Sequence, residues 1–404
     1  MFGVNKPKII TDEDKINELL TRGVEEVIDG GNLKKKLKSG NMLRIKLGID
    51  PTSPNIHLGR AIPLLKLKDF QNLGHKIVLI IGDFTGLVGD TSDKESERPM
   101  LSEDIIKKNL KDYVKQAAKI IDINKCEVHY NSKWLSKLGY YKIGQQADIF
   151  SLSDFISREN IKKRLDEGKR ISFRELMYPL MQGYDSVAIK ADVEIGGTDQ
   201  RFNLLAGRDL QRYYKQEPQD ILMNPLIEGL DGRKMSSSWG NVINLFDSSD
   251  DMYGKVMSLR DDLVIKYFVL TTRLEMVEIK KYEEKLRDGE NPRNIKMKLA
   301  NEIVKMYHGE KEAEKATDTF INTFSKGEFP EDAMVVVASK EEKIMDVLVN
   351  NKIVESKSEF RRLVEAGAIS YYPDKKINDS NEAVGDIERK IKIGKKTFVV
   401  LKLN

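Results

Sequence analysis

Two short polar segments have the residue types needed to bind a nucleoside triphosphate. The first, His57-Leu58-Gly59-Arg60, begins a predicted helix, and the second, Lys234-Met235-Ser236-Ser237-Ser238, lies in a Gly/Ser-rich stretch after the last predicted strand. A helix N-terminus offers free N–H groups and a positive dipole end to anions. The His57 imidazole and the Thr52 hydroxyl can donate hydrogen bonds to phosphate oxygens, and Lys234 on a mobile loop can neutralise developing charge.

Neither segment contains an evident general base. The implied chemistry is therefore attack by a nucleophile that is already anionic, such as a carboxylate on the α-phosphorus of ATP, with the protein supplying position and charge. Taken alone, a capping histidine and a Ser-rich connection are ordinary surface features. Together, at the strand ends where open α/β sheets bind ligands, they favour a nucleotide site.

The elements that must position these segments are typical of a doubly wound, Rossmann-like α/β domain with a parallel sheet. Strand Leu43 to Ile49, an amphipathic helix from His57 to Asn72 and strand Lys76 to Ile81 form one βαβ unit. The alternation continues with helix Ser102 to Ile121, strand Cys126 to Tyr130, helices across Ser151 to Ala191, a strand near Val193, helix Gln200 to Tyr214 and strand Ile221 to Leu226.

Beyond Asn244 the strand signals give way to helical ones. We predict three domains: an α/β domain at residues 1–245, a helical domain at 246–330 and a small α+β domain at 341–404. In the last, Glu341 to Asn350 and Ser356 to Ala366 are predicted helices, the second with a Ser356/Glu359 capping box. Two strand segments follow. The apolar run Ala333 to Ala338 could be a strand, but the sequence does not place it in a sheet.

Composition excludes several classes of protein. In a chain of 404 residues, 40% hydrophobic and 33% charged residues indicate a globular rather than a disordered protein. The longest apolar run is far shorter than the roughly 20 residues of a membrane-spanning helix, and the start has no signal-peptide or transit-peptide pattern. One cysteine excludes an internal disulfide, and four scattered histidines lack metal-ligand spacing. We therefore expect a cytoplasmic protein with no membrane partner, no metal site and no tightly bound cofactor.

A local excess of positive charge points to a second function. The net charge is only +4, but residues 389–404 contain six lysines and arginines and no acidic residue. The predicted helix after Ser356 also carries Lys357, Arg361 and Arg362 outside its apolar face. Such clusters favour contact with a nucleic-acid backbone, although a solvated helix is the ordinary alternative.

The segments His57 to Arg60 and Lys234 to Ser238, called the two phosphate-facing segments below for their predicted role, resemble the HIGH and KMSKS signatures of class I aminoacyl-tRNA synthetases. The sequence around them is similar to the tyrosyl-tRNA synthetase family. The most specific match is Tyr178 to Asp185 (YPLMQGYD) followed by Gly196 to Gln200 (GGTDQ). Positions 178, 182 and 185 share one helix face, where polar side chains need partners. The resemblance covers nearly the whole chain, and residues 344–404 resemble S4-type RNA-binding domains.

The resemblance implies a homodimeric tyrosine–tRNA ligase that uses L-tyrosine, ATP with Mg²⁺, and tRNA(Tyr), with the helical domain binding the anticodon. For tyrosine it implies Tyr178, Gln182 and Asp90 near the ammonium, Gln200 at the carboxylate, Asp185 at the phenolic hydroxyl, and the position of Lys46. For catalysis it implies Thr52, His57, Arg60, Lys94, Arg98 and Lys234, and for ATP binding Gly48, Asp50, His57, Gly59, Gly197, Asp199, Lys234, Met235 and Ser236. For tRNA we add Lys357, Arg361, Arg362 and Lys390.

Three positions depart from the family pattern. Arg60 replaces the second histidine of HIGH, Ser237 replaces the second lysine of KMSKS, and Lys46 stands where many members have a tyrosine at the substrate hydroxyl. We therefore expect phenol recognition to depend chiefly on Asp185. Two alternatives stay open: a tryptophanyl-tRNA synthetase, and an RNA-binding protein on a synthetase scaffold that has lost catalysis. A subunit interface is expected around four apolar residues, Phe150, Leu152, Phe155 and Phe173.

Overall fold

The chain divides into two units, Met1–Gly309 and Glu310–Asn404. The computed structural model describes residues 8–91, 100–322, 333–373, 375–394 and 397–403. The three-domain division with boundaries near residues 245 and 330 stays a prediction.

The first unit contains a six-stranded sheet in the order β1-β6-β5-β2-β3-β4. The strands are β1 (Glu26–Ile28), β2 (Arg44–Ile49), β3 (Lys76–Ile81), β4 (Glu127–Tyr130), β5 (Val193–Gly197) and β6 (Asp220–Asn224). All neighbouring strands are parallel except β1, which pairs antiparallel with β6. The predicted doubly wound α/β class is confirmed. The sequence did not predict β1, since three residues are too few to show a strand period.

In the described part of the first unit, sixteen α-helices surround or follow this sheet in chain order. They are α1 (Glu13–Thr21), α2 (Gly30–Lys38), α3 (Leu58–Asn72), α4 (Thr85–Val88), α5 (Glu103–Leu110), α6 (Tyr113–Ala117), α7 (Ser132–Leu135), α8 (Tyr140–Ala147), α9 (Leu152–Ile156), α10 (Glu159–Asp166), α11 (Phe173–Ile189), α12 (Arg201–Tyr213), α13 (Ser249–Met257), α14 (Val264–Thr271), α15 (Met276–Arg287) and α16 (Pro292–His308).

The single helix predicted over Ser102 to Ile121 is wrong, because the structure has two helices there. Side chains of this region are buried against the turn that follows β2. Asn109 Nδ2 donates to the Pro51 carbonyl at 2.8 Å, and the Gln116 amide accepts from Ile56 N at 2.7 Å and donates to the Pro54 carbonyl at 2.8 Å. These hydrogen bonds satisfy the turn's backbone and orient the chain that enters α3.

Helices α11 and α12 pack closely because their contact is made of small residues. A Cβ at Gly183 would lie 2.7 Å from Leu210 Cδ1 and 3.1 Å from the Ala206 backbone. At its N-terminus α11 has a capping box made by Ser172 and Glu175. The capping box and the close packing determine which α11 side chains turn toward the sheet.

The second unit consists of helix α17 followed by an α+β domain, in agreement with the predicted fold class. Its elements are α17 (Glu310–Phe320), β7 (Met334–Ala338), α18 (Ile344–Asn350), α19 (Lys357–Glu365), β8 (Ile369–Tyr371), β9 (Lys375–Lys376), β10 (Arg389–Ile393) and β11 (Thr397–Leu403). The strands form one sheet in the order β7-β11-β10-β8-β9. The apolar run that sequence left without a sheet is β7, which pairs in parallel with β11 at the edge.

Two details of this unit concern packing and capping. Its core includes Ile344, Leu348 and Phe360, all buried. Ser356 Oγ accepts from Glu359 N at 3.2 Å, but the Glu359 carboxylate accepts from Glu355 N at 2.8 Å and not from Ser356 N. The predicted capping box is therefore only half formed.

Within the described ranges, we find no helix that has both the length and the hydropathy of a membrane crossing.

Candidate active site

A cavity of about 280 Å³ opens where the chain order of the parallel strands reverses, between β2 and β5. This is the point at which open α/β sheets bind ligands. The predicted site residues that line it are Gly48, Asp50, Thr52, His57, Gly59, Arg60, Asp90, Tyr178, Gln182, Asp185, Gly197, Asp199, Gln200, Lys234, Met235 and Ser236. Lys94 and Arg98 lie outside the described residues.

At one end of the cavity Asp185 is buried and held by two donors. Trp134 Nε1 donates to Asp185 Oδ1 at 2.7 Å, and Asn131 Nδ2 donates to Oδ2 at 3.2 Å. Burial raises the pKa of the Asp185 carboxyl to about 7. Sequence reasoning missed both donors. Asn131 directly follows β4 at the ligand-binding edge of the sheet, which was the available signal.

A hydrogen-bonded row of amides and carboxylates continues along the cavity. Gln200 Nε2 donates to Asp90 Oδ2 at 2.6 Å. Asn203 Nδ2 donates to Gln182 Oε1 at 3.2 Å and to Gln200 Oε1 at 3.0 Å. Asn203 is fully buried and was also missed, because its side chain meets Gln182 only through the packing of α11 on α12. These groups can bind an ammonium and a carboxylate close together.

Asp50 directly follows β2 and lines the cavity. It accepts from the Tyr178 hydroxyl at 2.7 Å and from Thr85 Oγ1 at 2.7 Å. Burial is the main reason that the pKa of Asp50 rises to about 6. A Cβ at Gly82 would overlap Asp50 Oδ1 and Thr85 Oγ1, so only glycine fits there. By contrast, a Cβ at Gly48 would have no neighbour within 4 Å, so the backbone there borders open cavity.

The first segment, His57 to Arg60, is held by its own side chains. His57 caps α3, and its Nδ1 accepts from Arg60 N at 3.4 Å. Burial lowers the pKa of His57 to about 3, so the ring is neutral and its Nε2 carries the proton. Arg60 donates to the Tyr113 hydroxyl at 2.6 Å and to Thr52 Oγ1 at 3.0 Å. The arginine that replaces the second histidine therefore contacts Thr52 at this end of the cavity.

The second segment contacts both the first segment and the opposite strand end. Gly59 N donates to Met235 Sδ at 3.2 Å, which brings the two segments together. Lys234 Nζ lies 2.8 Å from Asp199 Oδ2. Asn241 stabilises the loop, because its Oδ1 accepts from Ser236 N at 2.8 Å. The predicted proximity of Lys234 to the nucleotide residues is thus observed, with Asp199 as its partner.

Lys46 is placed differently from the other tyrosine-site residues. Its side chain is fully buried, its ammonium lies 2.8 Å from Glu194 Oε1, and it is not among the residues that line the cavity. In the described part of the chain, no group of three or more His, Cys, Asp or Glu side chains is arranged to hold a metal ion.

The predicted tRNA contacts belong to the second unit, and the four apolar residues expected at a subunit interface belong to the first. Arg361 and Arg362 are exposed on α19, and Lys390 is exposed on β10. Lys357 Nζ lies 2.7 Å from Asp346 Oδ1. Of the apolar residues expected at a subunit interface, Leu152 and Phe173 are 59% and 74% exposed, Phe150 is half-buried, and Phe155 is buried against Phe202.

A mostly parallel sheet whose switch point brings together the segments His57 to Arg60 and Lys234 to Ser238 is the arrangement of the class I aminoacyl-tRNA synthetases. The family model described as "tRNA synthetases class I (W and Y)" matches residues 38–325. Tyrosine–tRNA ligase from Thermotoga maritima is 43% identical over 392 residues, which cover 96% of this chain and 97% of that protein. Tyrosine–tRNA ligase 2 from Clostridium acetobutylicum is 45% identical over 394 residues, covering 96% and 98%. The chain therefore belongs to the tyrosyl-tRNA synthetase family, as predicted.

Solved structures agree on the fold. A C-terminally truncated mitochondrial tyrosyl-tRNA synthetase from Aspergillus nidulans superposes with a TM-score of 0.66 at 22% identity, covering 78% of this chain and 95% of that chain. Tyrosyl-tRNA synthetase from Archaeoglobus fulgidus, solved with L-tyrosine, gives a TM-score of 0.60 at 23% identity, covering 75% and 99%. At such identities the likeness establishes the fold alone.

Proposed function

We propose that this protein is an ATP-dependent tyrosine–tRNA ligase. The tyrosine carboxylate attacks the α-phosphorus of ATP, which forms tyrosyl-adenylate and expels pyrophosphate. The 3′-terminal ribose hydroxyl of tRNA(Tyr) then attacks the tyrosyl carbonyl and releases AMP. The observation that carries the proposal is a single cavity lined by the polar face of α11 and by both phosphate-facing segments. Relatives that match this chain over nearly their whole length are named tyrosine–tRNA ligase. This supports tyrosine rather than tryptophan as the amino acid, and an active enzyme rather than an inactive scaffold.

The residues at the Asp185 end of the cavity bind tyrosine. Asp185 accepts a hydrogen bond from the phenolic hydroxyl, and Trp134 and Asn131 hold its carboxylate in place for this role. Asp90 faces the ammonium together with Tyr178 and Gln182, and Gln200 faces the carboxylate. A buried polar group of this kind rejects an analogue that cannot pair with it.

The residues of the two segments bind ATP. Arg60 and the neutral ring of His57 donate hydrogen bonds to phosphate oxygens at the start of α3, where the helix dipole favours anions. Asp199 binds the ribose, and Lys234 neutralises charge on the departing pyrophosphate. Mg²⁺ enters with the triphosphate as part of the substrate. Adenylate formation needs no general base, because the attacking carboxylate is already ionised.

Amino-acid-dependent exchange of pyrophosphate into ATP tests the proposal. With purified protein we expect exchange with tyrosine and at most trace exchange with tryptophan or phenylalanine. Exchange that depends on tryptophan would indicate a tryptophanyl-tRNA synthetase. Absence of exchange together with intact tRNA binding would indicate the RNA-binding scaffold without catalysis.

Lowering the pH should weaken the preference for tyrosine over phenylalanine. The pKa of Asp185 is about 7, so the carboxyl group that accepts the hydrogen bond of the phenol is mostly ionised at pH 8 and mostly protonated at pH 6. We expect the tyrosine/phenylalanine ratio of kcat/KM to fall about tenfold between these pH values. Effects of Asp50, which also titrates near pH 6, act on both substrates and cancel in the ratio.

The control for this pH profile is Asp185→Asn, which cannot titrate. Its ratio should be low and independent of pH. A ratio that stays constant in the unmodified protein from pH 8 to pH 6 would contradict the assignment of Asp185 to the phenol.

The exposed cations of the second unit bind the tRNA backbone. Replacing Arg361 and Arg362 together by alanine should weaken tRNA binding, and should flatten its log–log salt dependence by roughly 0.7–0.9 for each phosphate that the protein then leaves unneutralised. Tyrosine-dependent exchange should not change, since the cavity is lined by residues of the first unit. Glu365→Ala on the same helix is the control and should not lower the affinity. An unchanged salt slope in the arginine variant would remove α19 from the interface.

Further proposals concern organisation. Every described residue that lines the cavity precedes residue 245, which supports a catalytic domain at 1–245. The family resemblance supports anticodon binding at 246–330, and the small C-terminal sheet supports an S4-like domain at 341–404. Exposed Leu152 and Phe173 support a homodimer through this apolar surface. Sedimentation of the full chain tests it, and a monomer at micromolar concentration would contradict it. The single cysteine, which suits a reducing compartment, supports a cytoplasmic location.

A further inference from the structure

Lys46 and Glu194 form an ion pair beneath the tyrosine site. They are directly opposite each other on the parallel strands β2 and β5. Their side chains are 0% and 1% exposed, and Lys46 Nζ lies 2.8 Å from Glu194 Oε1. Burying two charges in this way is costly unless both are paired and further hydrogen-bonded.

Both members of the pair also contact α11, the helix that carries the tyrosine-binding face. Lys46 Nζ donates to Ser186 Oγ at 2.7 Å and to the Gln182 carbonyl at 2.9 Å. Ser186 Oγ in turn donates to Glu194 Oε2 at 3.0 Å, and Gln219 Nε2 donates to the same oxygen. The pair therefore has a complete set of partners and ties α11 to the two central strands.

A chain of hydrogen bonds leads from this pair to the cavity. Gln182 Nε2 donates to Glu194 Oε1 at 3.4 Å, so the carboxylate orients the Gln182 amide. The other end of that amide accepts from Asn203, which also donates to Gln200, and Gln200 donates to Asp90. The Lys46 charge also opposes the effect of burial on the pKa of Asp185.

We propose that the Lys46–Glu194 pair positions the tyrosine-binding side chains and that Lys46 is not itself a ligand of tyrosine. The pair fixes the Gln182 amide directly and the Gln200 amide through Asn203. Loss of either charge leaves the other buried without its partner, and the row of amides then rearranges. The inference rests on the proposed tyrosine site.

The alternative is that the Lys46–Glu194 pair only stabilises the fold, and the chain offers a matched control for this alternative. Lys66 on α3 is 2% exposed, donates to the carbonyls of Leu19 and Arg22 at 2.8 and 2.7 Å, and lies 3.4 Å from Asp69. None of these partners lines the cavity. Lys66→Met therefore reports the cost of losing a buried lysine that has no connection to tyrosine.

The experiment compares Glu194→Gln, Lys46→Met, the double variant and Lys66→Met in the full-length protein. We measure the Kd of tyrosine by calorimetry without ATP, the KM of tyrosine and of ATP in pyrophosphate exchange, and the Tm. Each single variant of the pair should raise the Kd and KM of tyrosine about 10–100-fold, with the KM of ATP changed less than about twofold. The double variant, which has no unpaired charge, should recover part of this loss. Lys66→Met should lower the Tm and leave both KM values nearly unchanged.

The outcomes distinguish failure of the positioning role from failure of the ligase function. If the pair variants lower only the Tm, as Lys66→Met does, the positioning role is overturned while the ligase function stands. If the unmodified protein binds tyrosine but does not exchange pyrophosphate, the ligase function fails and the calorimetric Kd still decides the inference. If it does not bind tyrosine, both fail. Should Lys46→Met not fold, Glu194→Gln and Asn203→Ser, which shortens only the link between Gln182 and Gln200, give the same comparison.

Discussion

Replacing Asp185 by alanine is expected to lower the preference for tyrosine over phenylalanine by about 100-fold. The reason is that a hydrogen bond to a charged group contributes roughly 1.5–3 kcal/mol. Tyrosine loses this hydrogen bond in the variant, whereas phenylalanine has no hydroxyl and never forms it. Trp134 and Asn131 hold the carboxylate in the free protein, so tyrosine meets a preformed acceptor. The measurement is the ratio of kcat/KM for the two amino acids in pyrophosphate exchange.

The matched control is Tyr184→Phe on the same helix. It removes one hydroxyl from α11, but Tyr184 packs against the Tyr214 ring and does not line the cavity. Its tyrosine/phenylalanine ratio should equal that of the unmodified protein. The same high ratio in Asp185→Ala would show that phenol recognition lies elsewhere.

Replacing Lys234 by alanine should slow adenylate formation on the order of 10–10³-fold, which is the effect of removing one electrostatic stabiliser of the transition state. Lys234 Nζ lies 2.8 Å from Asp199 Oδ2 in the free protein, so its ammonium is already beside one of the proposed ATP-binding residues. The affinity for tyrosine should be nearly unchanged, because Asp199 belongs to the proposed ATP-binding residues and not to those that bind tyrosine. Single-turnover quench experiments measure the rate, and calorimetry measures the affinity.

Arg233→Ala is the control for loop charge. It removes a cation one residue away that pairs with Asp231 and stacks on Trp239, outside the cavity. Its rate of activation should stay within about threefold of the unmodified rate, as expected for an exposed ion pair that contributes little. A normal single-turnover rate in Lys234→Ala would leave Lys234 as an ordinary surface lysine.

Sequence patterns were reliable where one element's own residues determine the outcome. Strand Lys76–Ile81 and the helix that begins at His57 were predicted from neighbouring residues alone. The strand shows as a continuous apolar run, and the helix shows as apolar residues at helical spacing. The spacing of Tyr178, Gln182 and Asp185 placed them on one helix face, and all three line the cavity. Sequence patterns failed where partners distant in the chain determine the local structure. Examples are the break between the two helices before Tyr113 and the short edge strand β1.

What the sequence by itself determined is the class of fold, the family, and most of the side chains around the cavity, because these follow from local periodicity and from short motifs. What only the tertiary structure decided is how those side chains are held. Asn203 meets Gln182 because glycines let α11 and α12 pack closely. Lys46 does not line the cavity, because its ammonium pairs with Glu194, which lies opposite it on the next strand. A buried polar group takes the orientation that satisfies its hydrogen bonds, and those partners come from segments far apart in the chain.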